Sequence, residues 1–217
     1  MPGIPKHVRF SDNVVSTPSP AFSLASLPSS YGPLTPPQAA FNAYLPMTGV
    51  AAVNPVLTFA GPMAPPHLSF DVTLPAANVR PSKRNMNMDS SILLQPATNP
   101  PLPMLILTHP RLRTWKIQIT PAEGGGYVRV IDVLEGIYAS LRQQATAADY
   151  ESLPSRDAQR DVTGAFTRRW SLMPDAAGRS LEKAKGLKRV DFLGSTFMFA
   201  GLVQSQQGPN YWDLVLL

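Results

Sequence analysis

The sequence has no cysteine among its 217 residues. Disulfide bonds, thiolate metal sites and thiol nucleophiles are therefore excluded, and nothing in the composition points to an oxidising compartment. Long apolar runs are also missing, because proline or polar residues interrupt each one before the roughly 18 residues that a membrane-spanning helix needs. The N-terminal segment MPGIPKHVRF lacks the apolar stretch of a signal peptide. We expect a soluble intracellular protein, cytoplasmic, nuclear or both.

Charge is nearly absent from the first third of the chain. The only charged residues before position 71 are Lys6, Arg9 and Asp12, and proline, alanine, serine and threonine are abundant there. Such a segment buries too little side chain to offset its ordering entropy, so we predict a flexible tail over residues 1–53. The alternative is that part of the tail lies on the domain as an ordered strap. The apolar side chains available for that are Phe22, Phe41, Tyr44 and Leu45.

Three segments after the tail have the apolar pattern of strands. They are HLSFDVTL at 67–74, PMLILTH at 103–109 and TWKIQIT at 114–120. The first alternates, which predicts one buried face. That face consists of Leu68, Phe70, Val72 and Leu74. The second is apolar on both faces, which indicates an interior strand, and the third pairs with it as a hairpin. A polar loop insertion over residues 80–100 lies between the first and the second.

Helices follow, and strands return at the end. Helical patterns cover residues 128–144, a short segment that a Thr146/Asp149 capping box opens, residues 155–173, and a segment ending near Gly186. The closing strands are predicted in LKRVDFL at 187–193, TFMFAGL at 196–202 and NYWDLVLL at 210–217, with a hairpin at Gly194-Ser195 joining the first two. This order predicts an α+β fold over residues 54–217, with two layers: a mainly antiparallel sheet and helices packed on one face.

The order of several segments carries a family resemblance. LSFDVTLP, PPLPMLILTHP, VIDVLEGIY, KRVDFLGST and a final YWDL strand together resemble a fungal, basidiomycete family known only as domain-of-unknown-function family 6699. The resemblance covers Asn54 to Leu217. In that family a tryptophan usually stands where Phe70 is here, and the loop from Arg80 to Asp89 is longer than usual. The resemblance implies a fungal intracellular setting and brings no catalytic residue with it.

Catalytic and nucleic-acid chemistry are not indicated by the residues themselves. His67 and His109 each lie beside a proline, and His109 is predicted to cap or line the hairpin turn. No dense metal-ligand set and no G-x-S-x-G motif is present. One solvent face of the helix predicted at 155–173 carries arginines together with aspartates, which is typical of a salt-bridged surface rather than a phosphate-binding stripe. These residues are Arg156, Arg160, Arg168, Asp157 and Asp161. We therefore expect no enzyme activity, no cofactor and no nucleic-acid partner.

Arg169 stands out because it projects onto the apolar side of its predicted helix, near Ala158 and Ala165. An unpaired charge in that position would be costly. We favour an arrangement in which the aliphatic stem extends to the rim and leaves the guanidinium in water. The alternative is that Arg169 pairs with a carboxylate and marks a polar pocket. Arg169 is the candidate ligand contact of the domain, and a pocket there would indicate a small-molecule-binding protein or an enzyme instead.

The tail begins with a short linear motif. Lys6-His7-Val8-Arg9-Phe10 resembles the docking motif for the catalytic subunit of type-1 protein phosphatase, a basic residue followed by valine, any residue and an aromatic. In an extended peptide added to a sheet edge, Val8 and Phe10 point the same way and would enter two apolar pockets, while Lys6 meets an acidic rim. Burying both would contribute about 3 to 6 kcal/mol before ordering costs, so further contacts are needed.

The same pattern recurs in Arg189-Val190-Asp191-Phe192, where Val190 and Phe192 are predicted to be buried in the core. Candidate phosphorylation sites lie in the tail, one directly after the motif and three before prolines. They are Ser11, Thr17, Ser19 and Thr35. Together these features predict a non-catalytic adaptor that binds a protein partner, with type-1 protein phosphatase as the suspected one.

Overall fold

The computed structural model of this chain describes residues 51–82, 89–122 and 124–217. The predicted tail over residues 1–53 lies almost wholly outside the described residues. The phosphatase-docking motif and the candidate phosphorylation sites lie outside them as well. These residues are Lys6, Val8, Phe10, Ser11, Thr17, Ser19 and Thr35.

The described part of the chain forms eight strands in three sheets. They are β1 (Ala52–Val53), β2 (Leu68–Ser69), β3 (Arg80–Pro81), β4 (Thr98–Asn99), β5 (Leu105–Thr108), β6 (Ile117–Ile119), β7 (Phe199–Gln204) and β8 (Tyr211–Leu216). The largest sheet has the order β6-β5-β8-β7, so β5 is an interior strand, as predicted. Strands β5 and β6 are antiparallel, β7 and β8 are antiparallel, and β5 runs parallel to β8. Two antiparallel pairs, β1 with β4 and β2 with β3, complete the mainly antiparallel arrangement.

All four predicted helices are present, as α1 (Val130–Leu141), α2 (Ala147–Glu151), α3 (Arg156–Ser171) and α4 (Ala176–Ala184). Local signals in the sequence explain their starts. The capping box of α2 forms as predicted, because the Thr146 N–H donates to Asp149 at 2.8 Å and the Asp149 N–H donates to the Thr146 hydroxyl oxygen at 3.2 Å. Ser155 caps α3 by accepting the Ala158 N–H at 3.1 Å.

The core lies between the large sheet and α1, which packs on β6. This contact is close at Gly136, where an added Cβ would lie only 2.3 Å from the Cδ1 of Ile119. The apolar face predicted for the last strand is confirmed, since Trp212, Leu214 and Leu216 are buried. Helices and a mainly antiparallel sheet together make the fold α+β, as the sequence predicted.

The prediction of a strand at 187–193 is wrong, and so is the prediction of a hairpin at Gly194-Ser195. This segment forms a 3₁₀ helix over Arg189–Leu193. The Lys188 N–H donates to the Asp191 carboxylate at 2.8 Å, and this local bond gives the backbone an alternative to a sheet ladder. Gly194, with φ 67°, ends the helix. Val190 and Phe192 are nevertheless buried as predicted, because their apolar character does not depend on the element that carries them.

The predicted strand at 67–74 is also shorter than expected. Only Leu68–Ser69 is a strand, because Asp71 then turns the chain by accepting the Thr73 N–H at 2.8 Å and the Thr73 hydroxyl at 2.7 Å. Phe70 and Val72 remain buried, whereas Leu74 is 46% exposed, so its predicted place on the core face is wrong. The turn therefore presents an apolar side chain to solvent.

Candidate functional site

Arg169 lies near the C-terminal end of α3 and binds three other segments at once. Its Nε and Nη2 donate to the two carboxylate oxygens of Asp191 at 2.8 and 2.9 Å. Nη1 donates to Glu182 of α4, and Nη2 also reaches the carbonyl oxygen of Gly186 at 2.9 Å. The side chain is only 10% exposed. The sequence-based expectation that the Arg169 guanidinium lies in water is wrong. The alternative is correct, because the guanidinium pairs with carboxylates inside the protein.

Glu182 is the centre of the cluster that Arg169 joins. Its carboxylate is 5% exposed and contacts four cations. They are Arg142, Arg169, Lys185 and Lys188. Burial pushes the pKa of Glu182 upward, but the hydrogen bonds from Lys188 and Lys185 and the positive charges of Lys188 and Arg142 outweigh it and lower the pKa to about 2. The carboxylate is thus charged at any physiological pH.

The cations of the cluster respond to burial in different ways. Burial lowers the pKa of Lys188, and the charges of Arg142 and Arg169 lower it further, so the bond to Glu182 only partly compensates. For Arg169, burial also acts to lower the pKa, yet Asp191 and Glu182 raise it above its ordinary value. Removing one buried member of such a cluster takes a partner from each charge that it contacts, which is more costly than breaking a surface ion pair.

A groove lies against this cluster, and we call it the Arg169 groove. Its volume is about 340 Å³. Its apolar lining comes from Leu74, Ala165, Leu172, Met173, Val190 and Phe197. Its polar lining comes from Asp71, Thr73, Arg142, Arg168, Arg169 and Asp191. The pocket that the Arg169 hypothesis requires is therefore present, although the surface it exposes is mostly apolar rather than polar.

Residues far apart in the sequence meet at the groove for identifiable reasons. Ala165, Arg168, Arg169 and Leu172 share one face of α3 because they are spaced by three or four residues. The Val72 N–H donates to the Phe197 carbonyl oxygen at 2.9 Å, and this bond places the turn with Leu74 beside Phe197. The ion pair between Arg169 and Asp191 holds the 3₁₀ helix Arg189–Leu193 against α3.

The groove is open to solvent and carries positive charge at its rim. Leu172 is 73% exposed. Arg168 is exposed, and its guanidinium has no ion pair or hydrogen bond with any residue that the structure describes. Arg142 is 34% exposed and reaches Glu182 at 3.5 Å, longer than an ordinary hydrogen bond. The guanidinium groups of Arg168 and Arg142 can therefore donate hydrogen bonds to a molecule that binds in the groove.

The helical pattern of the sequence points to Arg169 but not to its two acidic partners, Glu182 and Asp191. Asp191 follows Lys188 with the spacing of a capping box, which is a local signal that could have indicated the 3₁₀ helix and its buried carboxylate. Glu182 has one local signal, the cation of Lys185 three residues later, whereas Arg142 and Arg169 lie 40 and 13 residues earlier in the chain. Contact of Arg169 with a ligand stays a prediction.

A second cavity, of about 530 Å³, lies at the carboxyl end of β5. The Thr108 hydroxyl donates to Asp213 of the neighbouring strand β8 at 2.6 Å. His109 accepts the Arg111 N–H at 3.2 Å through Nδ1, so its predicted role in capping the turn is confirmed. Burial and the charge of Arg111 lower the pKa of His109, which keeps the imidazole neutral at pH 7. The Thr108 bond links β5 to β8, and the His109 bond caps the turn that leads to β6.

Metal-binding and membrane-spanning features are absent from the residues that the structure describes. No group of three or more histidine, aspartate or glutamate side chains within 51–82, 89–122 and 124–217 is placed to hold a metal ion. Across the same residues, no helix has the length and apolar character needed to cross a bilayer.

Comparisons with known proteins identify the family of the chain. A family model described as a family of unknown function, DUF6699, matches residues 68–210. Searches of curated proteins and of solved structures find no match. The fungal origin expected from the resemblance stays a prediction. Because the family model spans well over half of the chain, the protein belongs to the family of unknown function DUF6699.

Proposed function

We propose that this chain is a non-catalytic, intracellular protein-interaction module. In this proposal the folded domain holds one partner in the Arg169 groove, and the tail docks the catalytic subunit of type-1 protein phosphatase. The observation that carries the first part is an open, largely apolar groove built against the buried ion cluster around Glu182. Apolar grooves with a polar rim are typical of surfaces that receive a partner.

The chemistry at the groove suits binding better than catalysis. A general acid or base works best when its pKa lies near the working pH. Glu182 has a pKa of about 2, and the pKa of Arg169 is raised above its ordinary value, so neither exchanges a proton near neutrality. Asp191 accepts hydrogen bonds from Arg169 and from the Lys188 N–H. Arg169, Glu182 and Asp191 are therefore committed to holding the groove in shape.

Arg169 can also take part in binding directly. A guanidinium has five N–H bonds. Four of those of Arg169 have an acceptor: two donate to Asp191, one to Glu182 and one to the Gly186 carbonyl oxygen. The remaining N–H is on Nη1. Since Arg169 lines the groove, this N–H is the group that would donate to a partner seated there.

The tail supplies the adaptor half of the proposal through Lys6, Val8 and Phe10. A short motif of this kind binds weakly by itself, because ordering the peptide consumes much of the gain from burying two side chains. A folded domain on the same chain raises the effective concentration of whatever it holds near the phosphatase. The two halves together would bring a partner of the domain to that enzyme.

A photo-crosslinking experiment tests the groove half. The full chain carries benzoylphenylalanine in place of Leu172, and a matched protein carries it in place of Leu181, an exposed leucine on α4 that does not line the groove. Irradiation in a lysate of the source cells should give a protein adduct from position 172 and not from position 181. Equal adducts from both positions, or none from position 172, would remove the proposal.

A second candidate is a small-molecule-binding protein, or an enzyme, that uses the same groove. The observation favouring it is the volume of about 340 Å³, which falls at the lower end of the range for ligand pockets, about 300 to 1,000 Å³. Native mass spectrometry of the purified full chain distinguishes the two. A bound small molecule that is lost in a Leu172→Asp variant, together with no protein adduct from position 172, would support the second candidate.

A further inference from the structure

We propose that the partner of the Arg169 groove is an acidic peptide segment that inserts an apolar side chain between Leu74 and Leu172. This inference rests on the proposed function, because it names the chemistry of the partner that the interaction module holds. It depends on three features of the groove: its apolar edges, its surplus of positive charge and its size.

The apolar edges indicate that the occupant extends beyond the cavity. Leu172 is 73% exposed and Leu74 is 46% exposed, although both line the groove. A molecule contained within the cavity would leave most of Leu172 in water. A peptide that inserts one side chain and continues over the edges would cover both leucines, which is how apolar surface is removed from water most completely.

The charge of the groove and its ion cluster is unbalanced. Five cationic side chains belong to them, and three carboxylates oppose these, which leaves an excess of two positive charges. The cations are Arg142, Arg168, Arg169, Lys185 and Lys188, and the carboxylates are Asp71, Glu182 and Asp191. Acidic side chains on the partner would balance this excess, and complementary charge of this kind favours one partner over others.

Arg168 is the residue best placed to meet those acidic side chains. It is exposed, lines the groove and has no ion pair or hydrogen bond through its side chain in the described part of the chain. A guanidinium matches a carboxylate in a two-pronged geometry, so it can select an aspartate or glutamate. Arg169, by contrast, is mostly committed to Asp191 and Glu182 and acts chiefly as a positioning residue.

The size of the groove agrees with a side chain rather than a strand of nucleic acid. A volume of about 340 Å³ accommodates one or two apolar side chains. A nucleic acid would need a continuous series of cations along its phosphates, whereas the rim of this groove also includes the Asp71 carboxylate. The apolar lining and the limited positive excess therefore favour a peptide.

Fluorescence anisotropy with the full chain and three fluorescein-labelled peptides tests this inference. The first peptide has the sequence EEDLFDEE, the second replaces Leu-Phe by Ser-Ser, and the third replaces every acidic residue by lysine. We expect the first to bind at least about tenfold more tightly than either of the others. Its affinity should also fall as salt is added, since exposed charge pairs are screened.

Two matched pairs of variants locate the site. Arg168→Glu should weaken binding of the first peptide by about tenfold or more, whereas Arg156→Glu, which changes another exposed arginine of α3, should not. Leu172→Ser should weaken it likewise, and Leu181→Ser should leave it unchanged. Since all four side chains are exposed, the variants should keep the thermal transition of the parent protein, and circular dichroism checks this.

Several outcomes overturn the inference. They are equal affinity for the acidic and lysine peptides, equal affinity for the Leu-Phe and Ser-Ser peptides, no binding of the first peptide, or equal effects of the two variants in either pair. Sedimentation analysis showing a dimer that Leu172→Ser abolishes would assign the groove to a second copy instead. If crosslinking captures a protein from position 172 and not from position 181, only the acidic-peptide inference fails and the interaction module stands.

Discussion

The guanidinium of Arg169 donates a hydrogen bond to each carboxylate oxygen of Asp191, from Nε to Oδ1 at 2.8 Å and from Nη2 to Oδ2 at 2.9 Å. The two residues belong to different elements, α3 and the 3₁₀ helix Arg189–Leu193. This parallel pair of bonds fixes both the distance and the rotation of the two elements. Because each element contributes to the Arg169 groove, the pair determines the shape of the groove.

Replacing Arg169 by methionine should destabilise the domain by about 3 to 5 kcal/mol, since Asp191 and Glu182 would lose a buried partner. Arg168→Met, at the adjacent exposed arginine, should change the free energy of unfolding by no more than about 0.5 kcal/mol. Urea denaturation of the full chain measures both. Similar unfolding free energies for the two variants would contradict the structural role given to Arg169.

The stability of the domain should decrease in acid because of Glu182. Its pKa in the folded protein is about 2, below the ordinary value of 4.5. A carboxyl group whose pKa is lower in the folded state stabilises that state, and the contribution is complete at pH values above its ordinary pKa. For Glu182 the contribution is lost as the pH falls from about 4.5 towards 2. Urea denaturation at several pH values across this window should show a steeper loss for the parent protein than for Glu182→Gln. Parallel pH profiles would contradict the assignment.

Two glycines in helices should respond oppositely to alanine. Alanine normally stabilises a helix relative to glycine by about 1 kcal/mol, and Gly164→Ala should show this gain because its added Cβ meets nothing within 4 Å. Gly136→Ala should instead destabilise by about 1 to 3 kcal/mol, because its Cβ would lie 2.3 Å from the Cδ1 of Ile119. Thermal and urea unfolding compare the two variants.

A double variant checks the cause of the Gly136 effect. Ile119→Val removes the Cδ1 methyl that the new Cβ would meet. Gly136→Ala combined with Ile119→Val should therefore be less destabilised than the sum of the two single changes. Simple additivity would show that the close approach of α1 to β6 is not what limits residue 136.

Loss of the tail motif should abolish most of the affinity for the phosphatase. Val8→Ala combined with Phe10→Ala removes both apolar side chains of the motif and should weaken binding to the purified catalytic subunit by about 100-fold. Val15→Ala combined with Phe22→Ala makes the same chemical change elsewhere in the tail and should have no effect. Isothermal titration calorimetry measures the affinities. Equal values for the parent protein and the motif variant would eliminate the docking hypothesis.

Phosphate on Ser11 should also weaken that docking, because it places about two negative charges beside a motif that needs an acidic rim on its partner. Full chain made by semisynthesis with phosphoserine at position 11 should bind the catalytic subunit several-fold more weakly. The same modification at Ser19 is the control and should change the affinity less. A tighter complex after phosphorylation of Ser11 would contradict the proposed charge pattern.

The sequence alone determined the α+β class, the four helices and most of the buried positions. Helix periodicity and capping boxes such as Thr146 with Asp149 are local, so nearby residues suffice to predict them. The interior position of β5 and the buried face of β8 follow from their apolar patterns in the same way. Even where the element was wrong, at Val190 and Phe192, apolar character predicted burial.

Only the tertiary structure decided how Arg169 is satisfied and that a groove lies beside it. Arg142 and Arg169 reach Glu182, and Leu74 and Phe197 line one groove, because distant segments come together in the fold, and no local spacing encodes such meetings. A buried charge takes whichever partner the surrounding elements bring within reach, since remaining unpaired would be too costly. Its role therefore follows from packing, which a linear pattern does not contain.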